Sequence, residues 1–424
     1  MNKKKVAIIL IVFIAIFLTI MLVVNRDNVE ITNEVGNKSK KSNNLLTMNL
    51  EQTAGAGDYK TVTQSEWPTE GYKFNTELSR CENGSEISWY DTKKVVVVSG
   101  NLSDKCYVYF DIWIPSIADY CTSGTDLATC VKNFGVQGAS VSNIYIHNAS
   151  LTNGAGDNSY RYSGANPNNF VCFGSTTSPC PTDNLYRIIG VFDENYHGVS
   201  GKQLVKLIKY DYANSNLLGT DGDYKGSSTP NATYYKGSLT TINTYYWNEA
   251  TSKNTWSESN LNKTNLNTNF INNIGSTWAE KIATVTWKVG GNTYSNIIQK
   301  TPSIVYINEI TNPDTTTYDA KIGLMYVSDY GFAASPSAWT LTMGSYDNTT
   351  ATSTNWMYMG MGEWTILRYS DSSVHAFLVR NEGLLRSSGS VYGDYFGARA
   401  SFNLESSITY VSGTGSMSDP ITIK

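Results

Sequence analysis

Residues Val6–Val24 read VAIILIVFIAIFLTIMLVV, and Thr19 is the only polar side chain among them. Wound as a helix at about 1.5 Å per residue, such a run covers a hydrocarbon core of roughly 30 Å. Lys3, Lys4 and Lys5 precede it, which predicts that residues 1–5 stay in the cytoplasm and that everything after the run is outside. A cleaved signal peptide has a shorter apolar region followed by small residues at a cleavage site, and neither follows Val24. No Cys follows the run to carry a lipid. The expectation is an uncleaved signal-anchor in the cell membrane: single-pass, N-terminus cytoplasmic, bulk of the chain extracellular, with the membrane engaged through residues 6–24.

An exported chain meets an oxidising environment, and that changes the meaning of its six cysteines, Cys81, Cys106, Cys121, Cys130, Cys172 and Cys180. An even count there suggests disulfides. Sequence order suggests Cys81–Cys106, Cys121–Cys130 and Cys172–Cys180, one of about fifteen pairings that six cysteines allow. Zinc is the functional alternative and reduced buried thiols the plain one; no CxxC or Cys/His spacing favours a metal. With three histidines in the chain (His147, His197 and His375), the expectation is no metal site and no cofactor.

Without the three leading lysines, 29 basic residues face 36 acidic ones. That balance, with no basic patch, argues against a nucleic-acid partner. Only 16% of residues are charged while 29 are Tyr, so the surface is polar without strong charge, a composition shared with recognition loops.

Along the chain the pattern changes several times. Residues 25–57 mix Asn, Lys, Ser, Glu and Gly without apolar periodicity and read as a linker or stalk. Residues 58–114 hold short β-forming runs separated by turn residues, a small disulfide-bonded, sandwich-like β module. Residues 115–181 read as a connector with one short helix and a Gly/Asn/Ser/Pro-rich loop. Residues 182–424 form the main domain. It opens on a hairpin, Tyr186–Phe192 against Gln203–Tyr210. Its helix carries Leu266, Phe270 and Ile274, with Gly275 as C-cap and a capping box at Thr277-Trp-Ala-Glu280. Strands are expected at Ile282–Val289, Ser303–Tyr306, Ala320–Val327, Glu363–Arg368, His375–Arg380, Ala398–Leu404 and Ile421–Lys424. The Asp221-Gly-Asp sequence reads as an ordinary turn, because the other calcium-loop ligands are missing.

The order of several segments resembles a known set of proteins. Tyr186-Arg-Ile-Ile-Gly-Val-Phe and Val205-Lys-Leu-Ile resemble a first hairpin. Trp256-Ser-Glu-Ser-Asn-Leu with Leu266-Asn-Thr-Asn-Phe resembles a W-S-x-L, L-N-x-x-F helix signature, with one extra residue. Lys321-Ile-Gly-Leu-Met-Tyr-Val-Ser-Asp-Tyr-Gly-Phe-Ala, Glu363-Trp-Thr-Ile-Leu-Arg and Gly397-Ala-Arg-Ala-Ser-Phe-Asn-Leu continue the series. Together they resemble membrane-anchored surface proteins of anaerobic gut bacteria. Their C-terminal part resembles C-type-lectin-like domains, related in shape to sulfatase-modifying-factor domains. The likeness covers residues 150–424 best and implies a mainly β chain ending in an α+β lectin-like domain. Arg399 is followed by Ala400 where that set has Pro. No Cys follows Cys180, so the oxidase chemistry of the modifying factors does not transfer. Trp247-Asn-Glu only echoes the calcium-lectin Trp-Asn-Asp strand.

The functional expectation is a surface recognition or adhesion protein, not an enzyme. A structural envelope component without a small ligand is the alternative, and an exported glycan hydrolase a further one. For the hydrolase, Asp329, Glu363 and Asp394 are the available carboxylates, but no spacing singles out a pair. For recognition, the loops Asp329–Ala338, Tyr346–Asn355, Tyr369–His375 and Ser387–Tyr395 are expected on the surface, carrying Tyr330 and Tyr346 among others. Tyr369, Tyr392 and Tyr395, with His375 and Asp394, are the candidate face for a glycan or protein ligand. Trp364 is expected in the core, and Arg399 is expected to hold loop carbonyls or a carboxylate.

Overall fold

The computed structural model describes residues 29–31 and 46–424, apart from 64–65, 69–70, 102, 139–140, 194–200 and 313–315. The cytoplasmic tail, the Val6–Val24 anchor and most of the linker lie outside the described residues. Among the described residues no helix is long and apolar enough to cross a membrane. The chain is mainly β and divides into two compact units, residues 1–114 and 115–424.

The first unit is built around a strand that composition assigns to the linker. Leu46–Glu51 runs parallel to Cys106–Ile112 and antiparallel to Tyr59–Val62. Flanked on both sides, it buries Met48, Asn49, Leu50 and Glu51. The Glu51 carboxylate, buried here, accepts the backbone N–H groups of Gly57 and Ile112 at 3.0 and 2.9 Å, which satisfies the charge where it sits. The linker reading of residues 25–57 therefore fails at Val29–Ile31, which pairs in parallel with Val96–Val98, and again from Leu46 onward: alternate Leu46, Met48 and Leu50 over six residues is a strand too short to stand out beside a polar tract. Glu86–Tyr90 and Val95–Ser99 form a second sheet. Val96 and Val98 from it join Met48, Leu50, Val108 and Phe110 from the first sheet in one core. Cys81 and Cys106 face each other as register partners on adjacent strands and form a disulfide.

In the second unit the expected hairpin is the centre. Leu185–Asp193 pairs antiparallel with Gln203–Lys209 through a bulge between Ile188 and Gly190. The sheet extends through Ser401–Asn403 and Ile322–Gly323 on one side and through Tyr160–Tyr162 and Ile144–Ile146 on the other. Phe170–Cys172 pairs with the Leu185 end of the hairpin. Three strands expected to lie in a connector are thus part of the main sheet, and residues 115–181 belong to the domain body. A second sheet runs in the order Gly291–Asn292, Glu363–Tyr369, His375–Val379, Leu385–Ser390. Cys121–Cys130 and Cys172–Cys180 are disulfide-bonded.

The Leu266, Phe270, Ile274 spacing belongs to a π-helix, Leu261–Phe270, continued by one α-turn, Ile271–Ile274. Its i→i+5 turns bring residues four and five apart onto one face, and Leu261, Asn265, Leu266 and Phe270 are buried accordingly. Gly275 ends it at φ 84°. The expected capping box does not form: the next helix, Ser276–Ala279, starts straight from Gly275 without a side-chain cap. Pro302–Tyr306 is a helix rather than a strand, with Pro in its first turn and Val305, Tyr306, Glu309 and Ile310 buried at helical spacing. Val327–Ala333 is likewise a wholly buried helix.

Candidate functional site

The expected ligand face is only partly assembled. Tyr392 and Tyr395 are 44% and 46% exposed on the turn after Leu385–Ser390. Asp394 shapes that turn, its carboxylate accepting the Ser390 N–H at 2.8 Å. His375 is the register partner of Ser390, and its Nδ1 meets the Ser372 hydroxyl at 2.7 Å. Tyr395 sets its edge against Tyr246, and the Lys225 ammonium lies near both rings. Tyr369 differs: it is half-buried on the strand beyond His375–Val379 and packs edge-on against the core ring of Phe377.

The loop Asp329–Ala338 is largely interior, whereas Tyr346–Asn355 exposes Asp347, Thr349, Thr352 and Ser353 but buries its one tyrosine. Tyr330 and Tyr346 are buried, their hydroxyls donating to the Gly383 and Gly331 carbonyls. These tyrosines are core, because their polar tips find backbone acceptors inside. The carboxylates available to a hydrolase are also committed. Asp329 is buried against Lys206 and Arg161. Glu363 is buried in a bidentate pair with Arg399. Asp394 closes its own turn. Trp364 lies in the core. Asp223 of the Asp221-Gly-Asp turn accepts the N–H groups of Glu249 and Leu261, knitting the loop to the start of the π-helix.

An opening absent from the sequence reading lies elsewhere, a cleft of about 280 Å³ with Arg187, Phe170, Trp356, Tyr358 and Met359 in its lining and Tyr210 and Lys236 on its sides. Arg187 reaches it because of register: on the central hairpin it stands directly across from Phe170. Its guanidinium is sandwiched between the Phe170 ring at 4.4 Å and the Trp356 ring at 4.7 Å. Nε donates to Asn169 Oδ1 at 2.7 Å, and the terminal nitrogens donate to the Pro167 and Trp356 carbonyls. Those three contacts leave part of the five-donor fork uncommitted. Among the described residues no carboxylate pairs with Arg187, unlike Arg161, Lys206 and Arg399.

Burial pushes the Arg187 pKa down to about 9, so it remains a cation at neutral pH inside a lining without a carboxylate, an imidazole or a thiol. The aromatic wall is tied down: Trp356 Nε1 donates to the Tyr162 carbonyl at 2.8 Å, and the Tyr358 hydroxyl donates to Asn381 O. Lys236 is held by its backbone N–H, which donates to Met359 O at 3.0 Å. The one local signal in the sequence was a charged residue inside the otherwise apolar strand Tyr186–Phe192, since charges are seldom fully buried without a task or a partner. The remaining lining comes from distant segments.

No family model matches this chain, and no curated protein or solved structure matches it either.

Proposed function

We propose that the chain is a cell-surface recognition protein, held in the membrane by Val6–Val24, whose second unit is a C-type-lectin-like α+β domain that binds a small anion-bearing polar ligand in the Arg187 cleft. In this reading the family resemblance extends to location and display, and the small β unit with its shared two-sheet core serves as a sandwich-like spacer. The observation that carries it is the buried, carboxylate-free Arg187 stacked between Phe170 and Trp356 in the wall of an open cleft. A desolvated guanidinium gains more from an anion than an exposed one does, and its planar fork suits a carboxylate or phosphate. The volume lies at the lower end of ordinary ligand clefts, roughly 300–1,000 Å³, which favours a ligand of single-sugar size. Hydrolysis is disfavoured because Asp329 and Glu363 are sealed in buried ion pairs.

The test is calorimetric titration of the full chain with glucuronate, inorganic phosphate and glucose. Saturable binding of either anion, absent with glucose and lost in Arg187→Met of unchanged melting temperature, is the expected result. No heat with either anion favours the structural-component alternative and ends this proposal.

A further inference from the structure

A buried charge cluster of Lys206, Asp329, Arg161 and Asp157 plays no part in that cleft. Lys206 is in the middle of the central strand, paired on one side with Gly190 and on the other with Asn403. Its ammonium lies 2.5 Å from Asp329 Oδ2, with side-chain exposures of 1% and 0%. The ring of Tyr326 lies 4.2 Å from Nζ, that of Trp287 5.2 Å and that of Phe192 5.8 Å. Asp329 sits in the first turn of the helix Val327–Ala333. That helix start is fixed by Glu309, whose carboxyl oxygens accept the Val327 and Ser328 N–H groups at 2.9 Å each. The second cation of the cluster, Arg161, is already matched by Asp157 at 2.8 Å. Asp329 is therefore the carboxylate left to Lys206.

We propose that Lys206 and Asp329 are joined in the folded protein by an amide bond that the chain forms by itself. The step needs no oxidant, reductant or cofactor. In the aromatic enclosure the charged pair carries a large desolvation cost, and burial lowers the Lys206 pKa. Passing the proton from ammonium to carboxylate gives a neutral amine beside a neutral acid. The Nζ lone pair attacks Asp329 Cγ, forming the C–N bond. One C–O bond then breaks, and the departing hydroxyl takes a proton from the nitrogen and leaves as water. One hydrogen remains on the amide nitrogen. Arg161 Nη1 is 3.7 Å from Asp329 Oδ1, and neither atom has a hydrogen-bond partner. The guanidinium is thus placed to stabilise negative charge building on that oxygen at the tetrahedral stage. Fixed contact between the two groups replaces a bimolecular encounter. The product also removes two buried charges together and leaves the Arg161–Asp157 pair balanced.

The finished bond would tie the middle of the sheet to a helix far along the chain, in a protein whose three disulfides all fall between Cys81 and Cys180. The experiment is intact-mass spectrometry of the full chain, reduced and denatured, followed by peptide mapping. Expected are a main species lighter than the sequence mass by one water and a branched peptide containing Lys206 and Asp329, with trypsin failing to cut after Lys206. The Lys206→Met variant should show the full sequence mass. A wild-type chain at full sequence mass overturns the proposal. So does a water loss that maps to another site or persists in Lys206→Met.

Discussion

Arg399 meets Glu363 through two parallel contacts, Nε to Oε1 at 2.7 Å and Nη2 to Oε2 at 2.8 Å, with both side chains buried. The same guanidinium donates to Met357 O at 2.6 Å and to Tyr210 O at 3.4 Å. Tyr210 lines the Arg187 cleft, and Met357 lies between two residues that do. A buried ion pair here therefore spans the two segments that wall the cleft, and Arg399 acts as the carbonyl-holding residue that Gly397-Ala-Arg suggests.

Removing one partner of such a pair leaves an unmatched buried charge, at a cost of about 3–5 kcal/mol. Glu363→Ala should lose that much in urea denaturation and should weaken ligand binding in the cleft as well. Arg399→Lys should recover little of either, because an ammonium cannot make the planar double contact. A loss below about 1 kcal/mol, typical of an exposed pair, would contradict this account.

Some of this architecture was readable from residues alone. Tyr186–Phe192 and Gln203–Tyr210 are dense in β-formers and flank a loop, so the hairpin stood out. The cysteine pairs follow sequence order because each bridge closes a short local loop. The cleft was not readable: Phe170, Arg187, Lys236 and Trp356 meet only through sheet register and tertiary packing, and no local spacing encodes that. Tyr330 and Tyr346 misled for a related reason. Tyr in a Ser/Gly-rich segment looks like surface, but a hydroxyl satisfied by an interior carbonyl makes Tyr a good core residue.

His147 provides a pH test. It is buried, its Nδ1 accepts the Ala155 N–H at 3.0 Å, and burial foremost, with Arg161 adding to it, holds its pKa well below 6.5. The unfolded chain takes up a proton below about 6.5 that the folded chain refuses, so this contribution to stability is lost as pH falls from there. Glu309 has the opposite sign. Burial lifts it to about 7, so its contribution is full below about 4.5 and is lost as pH rises through 7. Glu309→Gln removes that compensation, and its stability should fall more steeply than wild type on acidification from pH about 7 to 5. Parallel profiles for the two proteins would show that Glu309 does not titrate in this window.

Gly360 follows the cleft residues Tyr358 and Met359, at φ 83°, and a Cβ there would lie 1.9 Å from Tyr234 O. Gly360→Ala combines a left-handed backbone penalty with a clash against main chain, together about 3 kcal/mol or more. Gly55 has φ 71° with open space around it, so Gly55→Ala should cost only the backbone part, about 1–2 kcal/mol. Equal losses in chemical denaturation would show that the Tyr234 backbone moves aside freely.

The Cys81–Cys106 bridge can be tested by replacing both residues with Ala. Closing a loop of 25 residues should stabilise the first unit by about 3 kcal/mol, chiefly by restricting its unfolded chain. That unit should unfold at lower urea in the double variant, while the transition of the second unit stays in place. Unchanged unfolding would mean that the sheet pairing alone sets its stability.

The tyrosines first selected as a ligand face separate into two kinds, and the difference is measurable. Tyr392 and Tyr395 are well exposed on one turn, so replacing both with Ser should change stability by less than about 0.5 kcal/mol. Tyr369 covers Phe377, so Tyr369→Ser should cost more, about 1–2 kcal/mol, through lost ring packing. Neither change touches the lining of the Arg187 cleft, so anion titration should give the wild-type isotherm for the Tyr392→Ser, Tyr395→Ser double variant. If that variant keeps its melting temperature but no longer binds the anion, recognition belongs to the tyrosine turn, and the cleft is a by-product of packing around Arg187.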